Sequence, residues 1–411
     1  MDQSKIKHLK LACYSTNLTM SVAGNISPIL FLTFRTLYGV SYSMLGLLVA
    51  MNFVTQLTVD LIFSFFSHRF NIPKTVKAIP VIALLGFAVY ALLPVLFPEQ
   101  AYLGISLGTV IFSAAAGLGE VLISPVIAAL PADDPDREMS KLHSVYAWGV
   151  VGFVVFSTVF LLLGGMESWP LLTLALMAVP AASAVLFAGS QIPPMETPEK
   201  ATGALKLLKN KGVWLSVFGI FLGGSAECTM AQWSSGYLEQ ALNIPKLWGD
   251  LFGVALFSVM LGTGRTLYSK IGRNIGRVLT LGAAGAAVCY FVAAVTGAPV
   301  VGLAACALTG LCTSMLWPGS LVAASSRFPQ GGVFIYALMA AGGDMGASVG
   351  PQLVGVITDA VMAAPGAAAI AEKLQITVEQ LGMKTGMLCG MLFPLVAIFI
   401  FRRIWKGQQE K

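Results

Sequence analysis

The sequence predicts an all-α membrane protein of twelve transmembrane helices in two six-helix bundles, and three observations lead there. Only 11% of the 411 residues are charged while 56% are hydrophobic. A soluble domain carries about 25% charged residues, so this chain cannot cover a water-facing surface of its size. Twelve apolar stretches each reach the roughly 20 residues that cross a bilayer. The basic residues fall on alternating loops with one strong bias. The mean hydropathy of +0.80 agrees. The same composition excludes disordered, collagen-like, disulfide-stapled secreted and ordinary soluble-enzyme classes.

The spans are expected at about 8–34, 44–68, 76–97, 100–130, 140–164, 167–189, 213–241, 247–271, 276–297, 299–325, 332–360 and 384–405. Those above the minimum length imply tilt or helices that project past the bilayer. The basic start from Lys5 to Lys10 imitates a signal peptide, but Asn17 and Asn25 interrupt the apolar run and no clean cleavage site follows. That run is therefore the first span. The second carries Asn52, Gln56 and Asp60 at one-turn spacing, a single polar stripe. The fourth holds Glu120 midway, with Pro125 removing a backbone hydrogen bond beyond it. The fifth holds His143 and Trp148. The long loop 191–212 then separates an N-terminal bundle, 1–190, from a C-terminal one, 213–411. Its second part fits a short basic amphipathic helix on the membrane surface. The seventh span carries Glu227, Gln232, Trp233 and Tyr237, and the eighth Arg265. The tenth holds Trp317 and Pro318, and the eleventh a Gly342/Gly346/Gly350 seam suited to close helix contact, with Asp344 inside it. Residues 361–383 fit a short outer helix over a cavity mouth.

With the N-terminus in the cytoplasm, 20 of the 25 Lys and Arg residues lie inside. Arg35, Lys246, Lys373 and Lys384 lie outside, and Arg265 falls within a span. Both termini are then cytoplasmic, in the plasma (inner) membrane, and the span number is even. Faint internal symmetry supports two related halves. Gly117-Leu118 precedes Pro125 as Gly310-Leu311 precedes Pro318, and Gly46 and Asn71 match Gly249 and Asn274 at one offset. Such repeats are expected when two bundles enclose a midplane site.

Other readings are weaker. The net charge of +6 comes from scattered loop residues and forms no basic face, so no nucleic-acid partner is expected. The six cysteines sit in apolar stretches as small packing residues, with no metal-ligand spacing. The acidic turn 131–138 lacks the glycine and terminal glutamate of a calcium loop and fits a helix cap. The sequons at Asn17 and Asn25 lie inside a span. No nucleophile elbow, phosphate loop or paired zinc motif is present. A non-enzymatic monomer with no cofactor and no metal is expected.

The residues that carry chemistry are the ionisable groups sunk in spans, because a charge at the centre of an inserted helix costs about 2.5–3.5 kcal/mol. These are Asp60, Glu120, Glu227, Arg265 and Asp344. Glu120 reads either as a cavity carboxylate binding hydroxyls and a proton, or as a protonated structural hydrogen bond. Glu227 with Gln232 and Trp233 offers a carboxylate, an amide and an indole on one helix. Carboxylates and amides pair with sugar hydroxyls, and aromatic rings stack on sugar CH faces. Tyr237 fits the outer aromatic belt better than a site. Asn25, Asn52 and Gln56 fit either a cavity lining or interhelical glue. Arg265, five residues before Lys270, can snorkel to the inner surface.

These pieces resemble the major facilitator superfamily, and within it the fucose permease group of sugar:proton symporters. Glu120 with Pro125 is similar to that group's fourth-span acid and proline, and Glu227…Trp233…Tyr237-Leu238 to its seventh-span pattern. Gly264-Arg265, the run 314–318 and the run 350–359 are similar to its eighth, tenth and eleventh spans. The resemblance implies sugar transport. Two departures stand out. Asn25 occupies the place of a first-span aspartate implicated in proton coupling, and an amide cannot exchange a proton near neutral pH. The loop after the second span is a degraded form of the superfamily's signature. Coupling therefore rests on Glu120 or Glu227, or is absent.

The expectation is an alternating-access carrier for a small polyhydroxylated solute, a monosaccharide by preference. Asn25, Asn52, Gln56 and Glu120 would line one side of its site, and Glu227, Gln232, Trp233 and Trp317 the other. The rival is an exporter of amphipathic drugs or lipids on the same scaffold.

Overall fold

The computed structural model describes residues 3–66, 69–131, 135–193, 208–271, 274–328 and 332–409, and among them it is helical with no strand. Residues 132–134 of the acidic turn and most of the 191–212 linker lie outside the described residues, as do the side chains of Pro125 and His143. Among the described residues, nine helices are long and apolar enough to cross a membrane, and two bent helix pairs and the shorter apolar Trp148–Gly164 segment fill the remaining expected positions. The chain groups into two compact units, residues 1–38 with 54–201 and residues 39–53 with 202–411.

Unit 1 contains α1 (Gln3–Ile29), α2 (Phe31–Tyr38), the second half of α3 (Tyr42–Phe66), α4 (Ile72–Leu96), α5 (Ala101–Ala128), α6 (Pro135–Gly164), α7 (Trp169–Leu176) and α8 (Ala178–Ala188). The first span is not the single rod expected: α1 and α2 meet at 45°, just after Pro28 withholds a backbone donor. Leu9, Ala83, Leu122 and Phe187 belong to one buried core. At the α2 end, Phe34, Tyr90, Phe112 and Trp169 form a ring cluster, with Phe34 and Trp169 centroids 5.1 Å apart, edge to face.

Unit 2 contains the first half of α3, then α9 (Lys211–Leu242), α10 (Lys246–Trp248), a π-helical segment Gly249–Ala255, and α11 (Leu256–Ile271). There follow α12 (Ile275–Val295), α13 (Pro299–Thr313), α14 (Leu316–Arg327), α15 (Gly332–Met362), α16 (Ala367–Leu374), α17 (Val378–Gly390) and α18 (Leu392–Gln409). The tenth span is broken, because Pro318 cannot continue the hydrogen-bond ladder. The expected outer helix is α16, bent by 95° from α15. α9 and α15 pack backbone to backbone. A Cβ on Gly346 would strike the Phe221 carbonyl, and one on Gly350 the Thr229 hydroxyl, which is why the small-residue seam exists.

The internal symmetry seen in the sequence has structural content. Asn71 and Asn274 cap α4 and α12 in the same way, each side chain accepting from the backbone N–H three residues on. Gly117 lies against the α3 backbone at Gln56, and Gly310 against the α11 backbone at Phe257. Large apolar side chains such as Leu163, Val185 and Val300 stand exposed, as a surface solvated by acyl chains requires.

Candidate functional site

In unit 2 the site is built on α9. Glu227 Oε1 accepts from Arg265 Nη2 at 3.0 Å. Arg265 Nε donates to the Ser314 carbonyl at 3.1 Å. That carbonyl would normally serve the N–H of residue 318, but Pro318 has none. The tenth-span proline thus releases an acceptor, and the arginine takes it. Arg265 therefore points across the unit to Glu227 rather than snorkelling to the inner surface. The Glu227 side chain is 13% exposed and that of Arg265 43%. The other carboxylate oxygen, Oε2, is buried without a hydrogen-bond partner among the described residues. As an unused acceptor it is where a proton would reside on the neutral acid.

In the same unit, Gln232 and Asp344 are buried, and Trp317 is half-buried with its ring across Gly224 and Gly343. A Cβ at Gly343 would sit 2.5 Å from that ring, so the two glycines make the seat for the indole. Trp233 is 1% exposed and donates its indole N–H to the Pro351 carbonyl at 2.9 Å. In this conformation its ring edge is committed to the α9–α15 seam. Tyr237, expected in the aromatic belt, is instead buried, its hydroxyl donating to the Ala293 carbonyl at 2.6 Å. Further along, fully buried Asp250 accepts from Ser235 and from Lys246 Nζ, fixing the start of the π-helical segment.

In unit 1, Glu120 is exposed on α5. Gly117 rests on the α3 backbone at Gln56 and Gly119 faces Met20 of α1, so Glu120 leaves α5 on the side turned toward α1 and α3. Gln56 is buried there. Asn25 donates to Ser21 O of its own helix at 2.9 Å. Asn17 donates to Leu142 O at 2.8 Å and ties α1 to α6, the glue reading for that residue. Asn52 falls in the part of α3 that belongs to unit 2. Glu227, Arg265, Gln232 and Trp317 thus fall in one unit, where Glu227 and Arg265 pair, and Glu120, Gln56 and Asn25 fall in the other. Among the described residues, no group of three His, Cys, Asp or Glu side chains could hold a metal.

Unit 1 also carries a groove of about 900 Å³ between α1, α6 and α7–α8. Val22, Phe153, Phe156 and Val179 make its walls, and Tyr14 and Ser21 are its polar points.

A sequence model of the Major Facilitator Superfamily matches residues 12–351. No curated protein sequence matches the chain. Among solved structures, the chain is similar to a bacterial homolog of the human lysosomal transporter Spinster, inward-facing and occupied, with a TM-score of 0.75 at 12% identity over 98% of this chain and 97% of that one. It is also similar to a D-xylose-proton symporter, with a TM-score of 0.73 at 15% identity over 95% and 97%. The E. coli fucose:proton symporter matches with a TM-score of 0.60 at 16% identity over 98% and 99%.

Proposed function

The chain belongs to the Major Facilitator Superfamily and is a multi-pass membrane transporter, and from that premise we propose that it carries a small polyhydroxylated solute, a monosaccharide by preference, coupled to protons. The observation that carries this reading is the Glu227–Arg265 pair, whose carboxylate keeps one buried oxygen unused. A proton on Glu227 weakens its hold on the guanidinium, freeing donors for a hydroxylated solute. Gln232 and Trp317 of the same unit supply an amide and an aromatic face in this reading, and Glu120 with Gln56 supplies a second polar set. The N- and C-termini are cytoplasmic in this reading, as the Lys and Arg distribution favours.

Uptake of D-xylose and L-fucose into proteoliposomes, with and without an inward proton gradient, tests it. The gradient is expected to raise uptake, and Glu120→Gln or Glu227→Gln to remove that rise. Equal uptake in all cases defeats the coupling. The apolar groove in unit 1 favours a second reading, export of amphipathic molecules. Stabilisation by a lipophilic cation, and by no sugar, in a thermal-shift series would select it.

A further inference from the structure

One face of α1 changes character along its length. Lys7, Lys10, Tyr14, Leu18 and Ser21 follow one another at three- and four-residue steps and so form a single stripe. Its start is basic, with Lys7 exposed and Lys10 half-buried. The stretch Gln3–Ile29 contains no acidic residue, and neither do α7 and α8. The first two turns of α6 bring Asp136 and Glu138 with Arg137 and Lys141, whose charges cancel. His8 Nε2 donates to the Leu186 carbonyl at 2.9 Å, so the basic end of α1 stands beside the last turn of α8. Beyond it the stripe becomes the floor of the apolar groove, where Tyr14, Leu18 and Ser21 lie between walls from α6 and α7–α8.

The groove has fixed sides and an unfilled floor. Ser15 Oγ donates to the Val179 carbonyl at 3.2 Å, and the Thr16 and Ser183 hydroxyls are 2.8 Å apart, so α1 is tied to α8. α6 rests on α1 at Gly149, where a Cβ would come within 2.5 Å of Ser21 Oγ. One turn on, a Cβ at Gly152 would meet nothing within 4 Å among the described residues. Packing does not require that glycine, and glycine inside a helix costs about 1 kcal/mol relative to alanine. Close approach of a ligand to the backbone is a use that repays such a residue. Trp148 and Phe156 on the same wall are 70% and 46% exposed. From Lys10 to Ser21 the stripe runs about 17 Å, close to the roughly 15 Å of hydrocarbon in one leaflet. A basic entrance followed by an apolar trough of leaflet depth matches the two parts of an anionic phospholipid, its headgroup and its acyl chain. A lipid without net charge would use the trough and not the lysines.

We propose that this groove of unit 1 binds an anionic phospholipid from the leaflet at the α1 N-terminus, with its phosphate against Lys7 and Lys10 and an acyl chain along Gly152 and Trp148. The proposal needs only the membrane-spanning fold and neither solute reading. Quenching of Trp148 fluorescence by phospholipids brominated along the acyl chain tests it, in the full chain reconstituted into phosphatidylcholine vesicles. The chain has seven tryptophans, so the Trp148 signal is taken as the difference between the native chain and Trp148→Phe. Brominated phosphatidylglycerol should quench that signal at a mole fraction roughly twentyfold lower than brominated phosphatidylcholine, about fivefold for each lysine at the headgroup. Lys7→Gln and Lys10→Gln should each reduce the preference about fivefold, and together remove it. Gly152→Leu fills the trough and should weaken quenching by both lipids. Equal quenching by the two lipids, the mark of ordinary bilayer contact only, would overturn the proposal. So would a preference that survives both lysine substitutions. The preference in a chain that moves no solute would leave the lipid site standing and count against transport alone.

Discussion

At the scale of single residues, the informative feature is an ion pair with one member largely in view. Removing one partner of a buried pair leaves a stranded charge, which costs more than the pair contributes. The Arg265 side chain is 43% exposed, so solvent moderates that cost. Arg265→Ala should therefore lower stability by about 1–3 kcal/mol. Adding Glu227→Gln should restore part of it, and a thermal double-mutant cycle checks the coupling. A loss in the double variant equal to the sum of the two single losses would mean that the two side chains do not depend on each other. The candidates themselves were legible as rare charges in apolar runs. Their pairing was not. Distance along the chain from Lys270 suggested that Arg265 turns inward to the lipid boundary, whereas the Ser314 carbonyl released by Pro318 draws it the other way. Likewise the sequence suggests Trp233 for the site and Tyr237 for the aromatic belt, and only the neighbouring helices show that both polar groups meet backbone carbonyls.

At the scale of elements, the glycine seam of α9 and α15 sets how near two helices can run. Gly346→Ala forces a methyl onto the Phe221 carbonyl and should cost about 1–3 kcal/mol. Gly262→Ala, with nothing within 4 Å of the added carbon, should be neutral or slightly stabilising. Thermal melting of the two purified variants separates them, and equal losses would mean that the seam is looser than its geometry indicates. Spans were the most readable layer, because a bilayer dictates both length and polarity. The caps at Asn71 and Asn274 were readable as an offset match before they were seen as caps. Breaks were harder. Pro28 and Pro318 lie inside otherwise continuous apolar runs, where hydropathy continues across a point at which the backbone does not.

At the scale of the whole molecule, the Lys and Arg distribution predicts a cytoplasmic 191–212 linker. Trypsin should spare it in intact spheroplasts and cut it in inverted vesicles, leaving two fragments of nearly equal length. Cleavage in the opposite pattern would reverse the orientation. The sequence suggests a division at the 191–212 linker, whereas residues 39–53 group with 202–411, which hydropathy along the chain cannot show because the contacts concerned are more than 300 residues apart. The π-helical segment before α11 carries a last implication. A π turn holds one residue more than an α turn, and shedding it rotates every side chain beyond by about 100°. Gly249–Ala255 is therefore like a key in its lock: only if that single defect slid along the rod past Arg265 would the guanidinium swing off its bearing.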